Sequence, residues 1–145
     1  MAQLSAPELE AILVAAFPGN EVPRVESVGD HEIVCSLEVS RRHGRPGGTL
    51  SGPVMMMLAD TTAWMAVLAE VGAVLLAVTT SLHIDFLRKP DLETDLMSRG
   101  RLLKLGRKLA VVDVELFSRG HHHLVAKAQV TYSLPSSRHE ASSDY

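Results

Sequence analysis

The sequence predicts an α+β domain in which an antiparallel sheet wraps one long apolar helix. Three observations carry that expectation. The run from Pro53 to Ala69 is apolar apart from Asp60, and a helix apolar on nearly all faces is a buried helix. Four strand-like segments follow it and two precede it. Short turn signals join the last three segments, as in a meander. The 145 residues suit one domain. Hydrophobic residues make up 46%, so the chain can build a core.

In chain order, Ala6 to Phe17 is expected to be a short amphipathic helix. Ser5 is its N-cap, Pro7 and Glu8 suit its first turn, and Leu9, Ile12, Leu13 and Ala16 share a face. Pro18-Gly19-Asn20 stops it. Val22–Val28 and Glu32–Val39 read as strands around Gly29-Asp30, with Ile33, Cys35, Leu37 and Val39 on one side of the second. Ser40 to Leu50 reads as a loop. Ser51-Gly52-Pro53 has the chemistry of a helix start, because serine is a favoured N-cap and proline suits the first turn. That helix runs to about Glu70, and Gly72 terminates it.

Beyond the helix, Ala77–Leu87 is expected to be a strand with Val78, Thr80, Leu82, Ile84 and Phe86 on one face. Leu92–Leu105 follows, with Gly100 as a candidate bulge. Lys108–Phe117 buries Ala110, Val112, Val114 and Leu116. Leu124–Leu134 buries Leu124, Ala126, Ala128, Val130 and Tyr132. The organisation is residues 1–21 as helix and linker, 22–134 as the domain, and 135–145 as a polar, disordered tail.

Charge and composition narrow the function. A net charge of −3 and a pI near 6.1 exclude a general nucleic-acid binder, which needs a basic excess. The apolar run is short for a membrane span and carries a central acid, so no membrane association is expected. Residues 1–17 lack a basic leader, and the lone Cys35 cannot form an internal disulfide; both fit a cytoplasmic protein.

Asp60 is the residue that folding does not explain. An ionised carboxylate in an apolar helix costs several kcal/mol unless paired, hydrated or placed at a cleft. Two readings stand: a functional acid at a cleft, or a solvent-facing or loop-capping one. Gly52 lies at the start of the same helix, where free N–H groups can stabilise an oxyanion. An amide donor and a carboxylate base together suit acyl transfer to water. Trp64, one turn beyond Asp60, is expected on the same side. Met55, Met56 and Met57 line a pocket or pack in the core. His83 reads as a hydrogen-bonded structural histidine. His121-His122-His123 is not read as a metal site, because neighbours on a strand point to opposite faces.

The runs Gly48-Thr49-Leu50-Ser51-Gly52-Pro53 and Leu58-Ala59-Asp60-Thr61 resemble the helix entry of hotdog-fold thioesterases of the phenylacetate-degradation type. Val78 to Arg88 resembles that family's central strand, and Leu103-Lys104-Leu105-Gly106-Arg107 a later turn. The resemblance covers roughly Val22 to Leu134. It implies a hotdog fold, hydrolysis of acyl-CoA thioesters without metal or organic cofactor, and a homodimer or homotetramer with sites between subunits. It also implies Asp60 as general base or nucleophile, Gly52 as oxyanion donor, and Thr79 as a hydroxyl that places the water.

Three positions depart from the family pattern. Ser51 stands for the usual histidine, Arg45 for an asparagine and Pro53 for a second glycine. Serine still offers one hydrogen bond, and Arg45 either brings positive charge to the oxyanion or points to solvent. Arg88 and Lys89, and Lys104, Arg107 and Lys108, are candidate partners of the CoA phosphates, as is the Arg41–Arg45 loop. Two alternatives remain open: a non-catalytic acyl-CoA binder, and a hotdog hydratase or dehydratase using His83.

Overall fold

The computed structural model of the chain describes residues 2–40, 43–45 and 47–136, with only the backbone at Arg45. Helix α1 (Ala6–Ala16) precedes strands β1 (Arg24–Val28) and β2 (Glu32–Leu37). A short hairpin, β3 (Gly44–Arg45) and β4 (Thr49–Leu50), leads into helix α2 (Gly52–Val71). Strands β5 (Val78–Phe86), β6 (Leu96–Leu105), β7 (Leu109–Ser118) and β8 (Leu124–Ser133) follow. The main sheet is antiparallel, in the order β1-β2-β6-β7-β8-β5. The last three strands form the expected meander, and the α+β class is as read from sequence.

Local chemistry sets the elements. Ser5 and Glu8 form a reciprocal capping box at α1, the Ser5 N–H donating to Glu8 Oε2 at 2.7 Å. Helix α2 is long and apolar enough to cross a membrane by length and composition, yet most of it is buried in the fold. Leu58, Met65 and Leu68 are fully covered, and burial of such side chains contributes about 1.5–3 kcal/mol each. Gly72, at φ 90°, ends the helix as expected.

Several boundaries differ from the sequence reading. Strand β1 begins at Arg24 and β6 at Leu96, later than Val22 and Leu92, while β2 stops at Leu37 before Val39. The Ser40–Leu50 loop contains the β3–β4 hairpin, held by two-residue strands too short to show alternation. Gly100 is not a bulge: it pairs in register with Ile33 and Val114, and the irregularity falls between Leu102 and Lys104. Its lack of a side chain instead lets α2 approach, because a Cβ there would stand 3.1 Å from Thr62 Cγ2. The tail expected at 135–145 lies outside the described residues beyond Ser136.

Cys35 is fully buried on β2, and burial pushes its thiol from the usual 9.0 up to about 12. Below pH 9 it is a thiol in both folded and unfolded chains. Between pH 9 and 12 only the unfolded chain ionises, so the thiol's contribution to stability is lost as pH rises. Because the folded thiol is fully buried, the folded protein is expected not to react with Ellman's reagent at pH 8, whereas the denatured protein, with the thiol accessible, is expected to release one equivalent of chromophore.

Candidate active site

Asp60 sits in the third turn of α2, half-buried. Its Oδ1 accepts two O–H donors, Thr79 Oγ1 at 2.7 Å and Tyr132 Oη at 2.7 Å. The Tyr132 hydroxyl also lies 3.0 Å from the Asp60 backbone oxygen. Tyr132 is buried, and desolvation first, then the charge of Asp60, push its phenol upward from 10.0. It therefore stays protonated, and a donor, at ordinary pH.

Thr79 reaches Asp60 because of a bulge. Strict alternation puts Val78 and Thr80 on the inner face with Leu82, Ile84 and Phe86. The β5–β8 register instead shifts between Thr79 and Ser81. The extra residue puts Thr79, opposite Tyr132, on the same side as Leu82, opposite Val130. The expected inner face is thus corrected at its first two positions. The bulged Thr80 donates to the Thr131 carbonyl oxygen at 3.2 Å.

A cavity of about 720 Å³ opens beside this carboxylate, a size typical of small-molecule sites. Asp60, Thr61, Thr79 and Tyr132 line its polar end. Trp64, Leu75, Ala77 and Val78 line its apolar part, as do Ala11, Ile12, Ala15, Ala16 and Phe17 of α1. Phe17 meets Trp64 edge to face, with centroids 6.1 Å apart. Trp64 is therefore on the Asp60 side, as expected. The methionines are not among the lining residues: Met55 is in the core and Met56 is exposed.

The other candidates are spread along the molecule. Gly52 is the first residue of α2, and Ser51 is its N-cap without a side-chain capping bond. The Ser51 N–H donates to the His43 carbonyl oxygen at 2.8 Å. His43, missed in the sequence, is buried, with Nε2 2.9 Å from Glu21 Oε2 and Nδ1 accepting from the Ser40 N–H at 3.0 Å. It anchors the loop that starts α2; a histidine within an arginine and glycine run gave no signal of this. The side chain of Arg45 and the whole of Arg41 and Arg42 lie outside the described residues.

Arg88 and Lys89 lie just past β5 and line a smaller cavity of about 240 Å³ with His121 and His123. Arg88 Nη1 donates to the Leu124 carbonyl oxygen at 3.0 Å. Lys104, Arg107 and Lys108 are exposed around the β6–β7 turn. Neither group lines the Asp60 cavity. The three histidines at 121–123 lie in the β7–β8 turn, so the strand argument does not apply to them. Exposed His83 pairs with Asp85 at 3.1 Å.

The carboxylate, its donors and the cavity fit hydrolysis of an acyl compound, and the sequence carries a family signature across the same elements. Residues 47–132 match the family model described as the thioesterase superfamily, which spans more than half of the chain. The chain belongs to the thioesterase superfamily. Among curated thioesterases, human acyl-coenzyme A thioesterase 13 is 28% identical over 123 residues, covering 84% of this chain and 78% of that protein. The mouse protein of the same name is 26% identical, covering 74% and 76%. Among solved structures, a candidate thioesterase from a Silicibacter species aligns with a TM-score of 0.84 at 44% identity, over 93% of this chain and 94% of that one. Zebrafish thioesterase superfamily member 2 aligns with a TM-score of 0.80 at 26% identity, over 92% and 100%. The expected hotdog thioesterase fold and thioester-hydrolase class are therefore met. Helix α1 precedes the residues matched to the superfamily model, yet it walls the cavity.

Proposed function

We propose that this protein is an acyl-CoA thioesterase of the phenylacetate-degradation type, working as a homodimer whose two sites each draw on both subunits. The observation that carries the reading is the half-buried Asp60 carboxylate, held by two hydroxyls at the polar end of an apolar cavity. The curated thioesterases that the chain resembles support the choice of an acyl-CoA substrate.

In this reading Asp60 takes a proton from water as the water oxygen attacks the thioester carbonyl. The tetrahedral intermediate then expels the CoA thiolate, which recovers that proton. Direct attack by Asp60 to form an anhydride is the other route. The oxyanion needs an amide donor, and Gly52 of the same chain cannot supply it. Eight residues of helix separate them by about 12 Å, and the free N–H groups of a helix start point away from its body.

A two-fold pairing resolves this. Strand β5 pairs only with β8 among the described strands, leaving one edge open, and Val78 and Phe86 are exposed on it. Open apolar edges invite pairing with another chain. Antiparallel pairing of two β5 strands about Leu82 sets Val78 opposite Phe86 of the partner subunit. The Phe86 ring packs over Gly52, with Cζ 3.5 Å from where a Cβ would stand. Gly52 of the partner subunit thereby comes to the Asp60 end. Arg88 and Lys89 of the partner subunit follow it. Lys104, Arg107 and Lys108 already sit at that end, because Leu109 and Val78 both pair with Ser133. Cations from both subunits then face the CoA phosphates.

Free-thiol release from phenylacetyl-, benzoyl- and straight-chain acyl-CoAs tests the reading; folded protein with no turnover on any of them would reject it. Ser51, in place of the family histidine, favours a second reading, an acyl-CoA binder, which predicts measurable affinity without thiol release. The apolar part of the cavity is assigned to the acyl group. Ala15→Phe, on the cavity face of α1, is expected to lower kcat/KM for long-chain acyl-CoAs about tenfold or more. Acetyl-CoA should be little affected. A chain-length series on both proteins measures this, and equal losses at every length would remove α1 from the acyl pocket.

A further inference from the structure

We infer that Tyr132 is a positioning residue: together with Thr79 it saturates Oδ1 of Asp60 and leaves Oδ2 as the one oxygen that meets the water or the thioester carbon. The inference rests on the thioesterase reading and assigns work within it. A carboxylate oxygen has two lone pairs. Oδ1 receives one O–H donor from β5 and one from β8, each at 2.7 Å. Among the described residues no hydrogen bond reaches Oδ2.

Tyr132 does more than fill a lone pair. Its hydroxyl lies within reach of both Oδ1 and the backbone oxygen of Asp60. Its single proton goes to the nearer Oδ1 at 2.7 Å, with the backbone oxygen at 3.0 Å as the weaker branch of a three-centre bond. The hydroxyl thus ties the carboxyl group to its own main chain and restricts its plane. That plane sets the direction in which Oδ2 faces the cavity, which Tyr132 itself helps to line. Thr79 and Tyr132 are directly paired across β5 and β8, so one sheet position supplies both clamps. Misalignment of a base by small angles is costly, because proton transfer and attack need close alignment.

The position of Tyr132 is also hard to explain by packing alone. A buried tyrosine needs a partner for its hydroxyl, but a phenylalanine would fill the same space between Val130 and Leu134 without one. Here the partner is the acid of the site. A phenol with both its burial and the adjacent charge disfavouring ionisation remains a donor throughout, so the clamp does not switch off at neutral or mildly alkaline pH.

The test compares wild type with Tyr132→Phe, Thr79→Val and Asp60→Asn, using thiol release and infrared spectroscopy. The carboxylate band is identified from the wild-type minus Asp60→Asn difference spectrum. Tyr132→Phe and Thr79→Val are each expected to lower kcat about 10- to 100-fold, the range for loss of a hydrogen bond to a charged group. KM should stay within about twofold, since neither hydroxyl is assigned to CoA. The carboxylate band should move in both variants, whether or not they turn over. Thr79→Ser, which keeps the donor, should restore the rate. Incorporating 3-fluorotyrosine at position 132 keeps the packing and strengthens the donor, and should shift the band opposite to Tyr132→Phe. A wild-type kcat and an unmoved band in Tyr132→Phe would overturn the inference while leaving the thioesterase reading intact. A fully active Asp60→Asn would remove both.

Discussion

Asp60→Asn is expected to lower kcat for acyl-CoA hydrolysis by about 10²–10⁴-fold while leaving the fold intact. The asparagine carbonyl can occupy the Oδ1 position and still accept from Thr79 and Tyr132, whose donors lie 2.7 Å away. Its amide then replaces Oδ2, and an amide neither accepts the water's proton nor forms an anhydride. Asp60→Ala should be equally inactive but less stable. It removes the charged acceptor of both Thr79 and Tyr132, leaving Tyr132 only the backbone oxygen of residue 60 at 3.0 Å. The loss of hydrogen bonds to a charged group costs about 1–3 kcal/mol. At this chain length that is a fall of roughly 2–12 °C in melting temperature. Thiol release and thermal melting on the same samples separate the two effects. Full hydrolytic rate in both variants would remove Asp60 from the mechanism.

The contrast between Asp60 and Tyr132 shows what a sequence reveals. Asp60 stands out because it opposes the pattern around it: one charge in an otherwise apolar helix has no folding rationale. Tyr132 agrees with its pattern, filling the inner face of β8 after Val130, so nothing marks it except the need of a buried hydroxyl for a partner. Thr79 is an intermediate case. The family resemblance pointed to it, while strict alternation along β5 put it on the wrong face. The bulge at Thr79/Ser81 reconciles the two, and bulges leave little trace in a period-two pattern. Gly100 was conspicuous for the wrong reason, because a glycine in a strand marks either a bulge or a close approach, and only the packing of Thr62 against it decides. The β3–β4 hairpin, with strands of two residues, is shorter than any periodicity. Helix α1 was legible as a helix, but its place as a wall of the cavity depends on tertiary packing that no local pattern encodes.

Mixing two inactive variants should restore activity. Gly52→Pro removes the amide proposed to hold the oxyanion, and proline is well suited to the first position of a helix. Ser51 already has φ −65° and ψ 136°, the extended conformation favoured before proline. A Cβ at position 52 would meet the Phe86 ring at 3.5 Å, a contact rather than a clash. The variant should therefore fold and dimerise but lose activity by about 10²–10³-fold, as for other single oxyanion donors. Because Pro53 follows and disfavours helical backbone at the residue before it, circular dichroism and native mass spectrometry on the variant check its fold and dimer. Asp60→Asn loses the other half of the site. If each site combines Asp60 of one subunit with Gly52 of its partner, a heterodimer of the two variants carries one fully intact site and one doubly altered site. Unfolding and refolding an equal mixture should then recover about a quarter of wild-type activity, because half of the dimers are mixed and each has one working site. Recovery near zero, with heterodimers present by native mass spectrometry, would mean that Gly52 and Asp60 serve the same subunit or that Gly52 is not the donor. A β5 edge blocked by Ile84→Pro separates these outcomes. Proline removes a strand N–H, and loss of dimer together with activity would place the site across the β5 edge.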